Sequence, residues 1–322
     1  MSTEDQGTTV NSPASSDGKK SFLQWKNPFQ RILDNPVILK ELRGRMRNRQ
    51  AFTLLTLYLG LIALFIVLIY SFIAQQTNSF GWDPAIRQTT GKAIFGTVVL
   101  MEILLLSFIA PGLTAGSITS ERERQTFDLL RTTLITGRAL ILGKLGSAFT
   151  FLFLLILTAL PIQGLAFLLG GVGLGEMVVA SLMLIVTALF FCALGLYFSS
   201  YMKRTLSATL SSYAAILLSF LMLIVIFLLI AYMESASLSS GSSLEKTLSI
   251  ILWMLISTNP LFAAIMTEVI LVEDQSLFLT TNTPFANSGT LLSPWIIFVV
   301  VYLGLTTILV LLSIRNVNRP DK

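Results

Sequence analysis

Long apolar stretches alternate with short polar segments along this chain. Crossing the hydrocarbon core of a bilayer takes about 20 apolar residues in a helix. Because only helices satisfy their backbone hydrogen bonds within one segment in lipid, the pattern predicts an all-α integral membrane protein with six transmembrane helices. The six predicted spans are residues 52–74, 93–112, 145–169, 177–199, 207–232 and 294–314.

Composition supports the same class of protein. Hydrophobic residues make up 54% of the chain and charged residues only 12%, a balance that a soluble domain of this length does not have. The polar segments between the spans are too short to form a separate catalytic domain, so we expect the protein not to be an enzyme.

The uneven distribution of Lys and Arg predicts the orientation. All but three of the 22 basic residues fall on one side of the six-span arrangement, and the exceptions are Arg87, Lys92 and Lys246. Basic residues near span ends are retained in the cytoplasm. We therefore expect a multi-pass protein of the cell membrane (plasma or inner membrane) with both termini cytoplasmic.

The N-terminal segment divides into two parts. Residues 1–21 contain almost nothing apolar, and residues 1–26 are predicted to form a disordered cytoplasmic tail. Residues 27–50 place apolar and basic side chains on opposite faces, which predicts an amphipathic helix in the membrane interface. The alternative is a charged lead-in to the first span. Residues 317–322 are predicted to be a second cytoplasmic tail.

The segment between the second and third spans carries the most specific pattern. Ser120 and Glu123 have the spacing of a capping box at a helix start. Glu121 suits the positive end of the helix dipole, and Phe127 and Leu130 share one face. We predict a short charged cytoplasmic helix whose apolar ridge needs a partner. The alternative is a helix that lies against the membrane surface.

Glu102 is the polar residue that stands out inside a predicted span. Placing a charged carboxylate at this depth costs free energy, so the side chain normally faces protein or water. Three roles are open at this stage: contact with a substrate in a translocation path, pairing with another helix, or protonation with a hydrogen bond. Glu102 is therefore a candidate residue of the translocation path.

Several kinds of chemistry are not expected. The chain has no histidine and one cysteine, Cys192, inside a predicted span. The Gly-Lys pair in residues 137–145 misses the phosphate-loop spacing. No catalytic, cofactor-binding or metal-binding residues are therefore predicted. The basic excess lies beside the spans, where it favours contact with membrane lipid and not nucleic acid.

Two further features concern packing and the outer side. Small residues at Ser207, Ser211, Ala215 and Ser219 favour close helix approach, within the chain or across a dimer. The long segment 233–293 contains apolar pieces too short to cross the membrane. These pieces predict external re-entrant or interfacial helices, with Glu268 facing outward.

The residues also resemble a known family. The runs NPVILKELRGRMR (35–47) and SITSERERQTFDLLRTTLITGRALILGKL (117–145), with the six-span layout, are similar to permease subunits of type-2 ABC transporters. The likeness is strongest to the branch labelled multi-copper-enzyme-maturation permeases. It covers residues 27–316, which are expected to form the permease domain.

The resemblance implies a function and partners. It implies an ATP-driven transporter, with a lean toward export, in which a separate ABC ATPase subunit hydrolyses ATP. Residues 120–132 would be the coupling helix docked on that ATPase, and the permease would be a homodimer or a heterodimer with a second permease. The rivals are a six-span structural or regulatory protein that docks another cytoplasmic partner, and an intramembrane enzyme.

Overall fold

The computed structural model describes residues 44, 49–76, 84–126, 136–235, 243–273, 277–280 and 290–318. Outside that part lie the predicted tail at 1–26, residues 319–322, nearly all of the predicted interfacial helix at 27–50, and the ridge residues Phe127 and Leu130. The first two residues of the tail predicted at 317–322 belong instead to the last helix, which ends at Asn318. The described helices, in chain order, are α1 (Arg49–Gln76), α2 (Pro84–Thr114), α3 (Thr119–Glu123), α4 (Gly137–Leu168), α5 (Leu174–Tyr201), α6 (Thr205–Ser235), α7 (Ser243–Thr258), α8 (Pro260–Glu273) and α9 (Pro294–Asn318).

The helices confirm the prediction of an all-α protein with several spans. Within the described ranges, six stretches are long and apolar enough to cross a membrane: α1, α2 continuing into α3, α4, α5, α6 and α9. Each corresponds to one of the predicted spans, with ends that differ by several residues. A bent pair, α7 and α8, would raise the number to seven if it crossed as one span.

The second span runs further than its sequence indicates. Pro111 and Gly112 were expected to end it, but α2 continues through both residues to Thr114. A proline removes only its own N–H from the helical ladder, and the Pro111 carbonyl still accepts a hydrogen bond from the Ala115 N–H at 2.8 Å. The helix therefore passes Pro111 and reaches the polar segment beyond it.

Helix α5 lies at the centre of the bundle and packs against α2, α4, α6 and α9. It passes close to α2 at Gly195. A side-chain Cβ there would lie 3.2 Å from the Pro111 Cα and would overlap the Thr114 hydroxyl. Helices α1 and α6 are peripheral, and many of their large apolar side chains are exposed, as expected for surfaces in contact with lipid.

The predicted short helices of segment 233–293 are present as α7 and α8. The chain bends by 108° between them. Asn259 is the N-cap of α8, because its side-chain oxygen accepts hydrogen bonds from the N–H groups of Leu261 and Phe262. Pro260 fits the first helical position. A bend beyond a right angle turns the chain back toward the side it came from, which favours the re-entrant arrangement over a seventh span.

One short element was not predicted. Two-residue strands β1 (Leu279–Thr280) and β2 (Leu291–Leu292) pair antiparallel just before α9. The Trp253 indole of α7 donates to the Leu292 carbonyl at 3.0 Å, and the Trp295 indole of α9 donates to the Leu277 carbonyl at 2.7 Å. These bonds attach the strand pair to the helices on either side.

Candidate functional site

The most connected polar region lies at the end of the bundle predicted to be cytoplasmic. We call residues 115–126, which follow α2 and contain α3, the connecting turn. The capping box predicted for this turn is wrong, because the helix begins at Thr119 with Ile118 as its N-cap and no side-chain cap of its own. The Ser199 hydroxyl of α5 instead accepts from the N–H groups of Ile118 and Thr119, at 2.9 and 3.2 Å.

The helix predicted over 120–132 is interrupted within the described residues. Helix α3 ends at Glu123, and Gln125 adopts a left-handed backbone with φ of 58°. The Thr126 N–H bonds to the Glu121 carbonyl and the Gln125 N–H to the Arg122 carbonyl. This pair of bonds is the Schellman motif that terminates helices. Residues 127–135 lie outside the described part of the chain.

An ion pair joins the connecting turn to α4. The Lys144 ammonium lies 2.7 Å from a Glu121 carboxylate oxygen, and the Lys144 side chain is 3% exposed. The same ammonium donates to the Ser117 carbonyl at 2.9 Å. A buried cation is tolerable only when it has such partners, so Lys144 and Glu121 fix the start of α4 against the turn.

Two further contacts join the turn to the α5–α6 corner. The Glu123 carboxylate accepts from the backbone N–H of Thr205 at 2.7 Å and from its hydroxyl at 2.8 Å. The free N–H groups at a helix start favour such an anion, so Glu123 caps α6 and not its own helix. The Arg122 guanidinium donates to the Met202 carbonyl at 3.1 Å.

The structure therefore brings part of the predicted docking site together. Ser120, Glu121 and Glu123 all lie on α3, but the two carboxylates are used inside the chain. Three partners were missing from the sequence-based prediction: Lys144, Ser199 and Thr205. Lys144 gave no clear signal, because it lies one residue before the predicted span 145–169, where a basic residue is ordinary.

Glu102 lies in a separate polar cluster in the middle of the bundle. Its side chain is fully buried, and the Gln163 amide of α4 donates to both carboxylate oxygens at 3.1 Å. Tyr58 of α1, also buried, lies close enough to interact electrostatically with Glu102. Of the three roles left open for Glu102, the contact with Gln163 fits both pairing between helices and protonation with a hydrogen bond, and its role in a translocation path stays a prediction.

The connecting turn has the geometry of a rigid joint. Through Glu121, Arg122 and Glu123 it is attached to α4, to the end of α5 and to the start of α6, and α2 leads directly into it. A displacement of the turn would therefore be transmitted to four helices. Neither the comparison with protein-family models nor the comparison with curated proteins gives a match for this chain.

Proposed function

We propose that this chain is the permease subunit of an ATP-driven ABC transporter, an exporter of the cell membrane with both termini in the cytoplasm. ATP hydrolysis takes place on a separate ABC ATPase subunit, and two permease subunits form the dimer. The observation that carries the proposal is the attachment of the connecting turn to α4, α5 and α6 by an ion pair and hydrogen bonds.

The mechanism follows from that attachment. Closure of the ATPase pair on ATP pushes the segment that begins at the connecting turn. Because Glu121 pairs with Lys144 and Glu123 caps α6, the turn does not yield independently, and the push tilts the helices as a group. In this mechanism the permease provides the translocation path and the connecting turn, and the ATPase provides the free energy of ATP hydrolysis.

The docking contact is assigned to Phe127 and Leu130, since Glu121 and Glu123 are occupied within the chain. Burying two apolar side chains of this size is worth on the order of 3–6 kcal/mol, enough to hold or lose a partner. The rival function, a six-span structural or regulatory protein that docks another cytoplasmic partner, would use the same ridge without an ATPase.

Co-purification from the native membrane tests the proposal. The tagged chain is expected to retain a subunit that binds ATP, and the double variant Phe127→Asp/Leu130→Asp is expected to lose it while remaining monodisperse in detergent. The matched control is Thr132→Asp/Thr133→Asp, which adds the same charge to polar positions of the same segment and should retain the ATPase.

Two outcomes count against the proposal. Retention of a partner without ATPase activity, lost on the same double substitution, would favour the structural or regulatory alternative. Equal retention of the ATPase by the ridge variant and the control would remove Phe127 and Leu130 from the contact.

A further inference from the structure

A second site lies at the opposite end of the bundle, predicted to face outward. A cavity of about 530 Å³ opens between α1, α2, α5 and α8; we call it the outer cavity. Its walls are mostly apolar, and Phe72 and Val269, which are 64% and 40% exposed, lie on its lining. The exposed pair marks a mouth toward the surrounding lipid. The volume is in the range of pockets that bind small molecules.

Three charged side chains, each half-buried, line this apolar cavity: Lys92 of α2, Glu176 of α5 and Glu268 of α8. Glu268 does not face freely outward, as the sequence suggested: burial and the neighbouring Glu176 raise its pKa to about 7, and Lys92 lowers it. Above that pH the cavity holds two negative charges and one positive charge.

Within the described residues, neither cavity carboxylate has an ion-pair partner. One oxygen of Glu176 and one oxygen of Glu268 are buried, and neither accepts a hydrogen bond from the described residues. Leaving a buried acceptor unsatisfied is costly. Glu121 also keeps one such oxygen, but its other oxygen pairs with Lys144 at 2.7 Å, whereas in the described part of the chain no ion pair joins Lys92 to either cavity carboxylate.

We propose that the outer cavity binds an amphipathic organic cation. Above pH 7, where Glu268 is mostly ionised, Lys92 offsets one of the two carboxylates, which leaves one negative charge for the ligand to balance. The apolar walls bury the hydrocarbon body of the ligand, and the mouth at Phe72 and Val269 admits it from the membrane. An anion of the same shape would be repelled by the net negative charge of the outer cavity.

Gly96 offers a way to fill the cavity without changing its charge. It lines the outer cavity, and a Cβ built on it meets nothing within 4 Å. Gly60 of α1 has the same open surroundings but is exposed and does not line the cavity. The pair Gly96→Leu and Gly60→Leu therefore adds the same side chain inside and outside the proposed site.

The experiment measures binding to the purified full chain in nanodiscs by equilibrium dialysis. The probes are tetraphenylphosphonium and tetraphenylborate, a cation and an anion of nearly the same shape. We expect saturable binding of the cation alone. Glu268→Gln and Glu176→Gln should each weaken it on the order of tenfold, Lys92→Gln should strengthen it, Gly96→Leu should abolish it, and Gly60→Leu should leave it unchanged.

Three results would overturn the inference: equal binding of the two probes, unchanged cation binding in Gly96→Leu, or unchanged binding in both Gln variants. If a Gln variant fails to fold, the two Gly→Leu variants still decide the matter, since they retain every charge. The inference does not rest on the transporter proposal, because the measurement needs neither ATP nor an ATPase subunit.

Discussion

The charged side chains at the two ends of the bundle differ in whether they have partners within the chain. At the connecting turn, Glu121 and Glu123 are engaged with Lys144 and Thr205. At the outer cavity, Glu268 shares an apolar chamber with other charges but forms no ion pair with them in the described part of the chain. Charges that find partners within the chain build structure, whereas charges that face a cavity without them are available to a ligand.

The first test of this contrast removes one member of the buried ion pair. Glu121→Leu leaves the Lys144 ammonium buried without its counter-ion, so the free energy of unfolding should fall by about 3 kcal/mol. Adding Lys144→Met should recover most of that loss, because two apolar side chains then replace the pair. The measurement is unfolding of the detergent-purified chain by titration with sodium dodecyl sulfate.

The control for the ion pair comes from the other end. Glu268→Gln removes a carboxylate that has no such ion-pair partner and whose charged form is disfavoured by burial, so the unfolding free energy should not fall below that of the native chain. If Glu121→Leu and Glu268→Gln destabilise the chain equally, the two ends do not differ in the way proposed.

A smaller loss is expected from the hydroxyl that caps α3. Ser199→Ala leaves the buried N–H groups of Ile118 and Thr119 without an acceptor, which should cost about 2 kcal/mol. Ser207→Ala is the matched control, since its hydroxyl bonds only to the Arg204 carbonyl within one turn. The same titration compares them, and equal effects would show that Ser199 does not hold the connecting turn.

The smallest effect concerns the helix contact beneath the connecting turn. Gly195→Ala forces α5 away from Pro111 and Thr114 and should cost about 1 kcal/mol. Gly304→Ala in α9 meets nothing within 4 Å and should leave stability unchanged or slightly higher, because alanine favours a helix. Equal stability of the two variants would contradict the close approach of α2 and α5.

The sequence predicted the features that depend on local pattern. The apolar spans follow from the length of each stretch, and the short helices α7 and α8 follow from apolar pieces too short to cross the membrane. The cap of α3 could not be predicted, because Ser199 belongs to a helix that starts far along the chain. For the same reason Glu123 was assigned to its own helix, since nothing local shows that Thr205 lies beside it.

The outer cavity could not be predicted from the sequence, for a different reason. Lys92, Glu176 and Glu268 lie on three separate helices, and each alone is typical of an ordinary polar residue near a span end. Only the packing of α2, α5 and α8 places them around one volume. The buried partner Gln163 is an intermediate case, because a polar residue inside a predicted span indicates that a partner exists without identifying it.

Helix α6 also has a mechanical consequence. Glu123 holds its first residue, Thr205, and the Asn259 amide donates to the carbonyl of Ser219 at 2.7 Å. Those two attachments are about four turns apart, or about 21 Å along the helix axis. Asn259 is also the hinge that starts α8, the helix that carries Glu268. A displacement of α6 along its axis would therefore be transmitted through Asn259 to α8, which lines the outer cavity, without passing through α5 at the centre of the bundle.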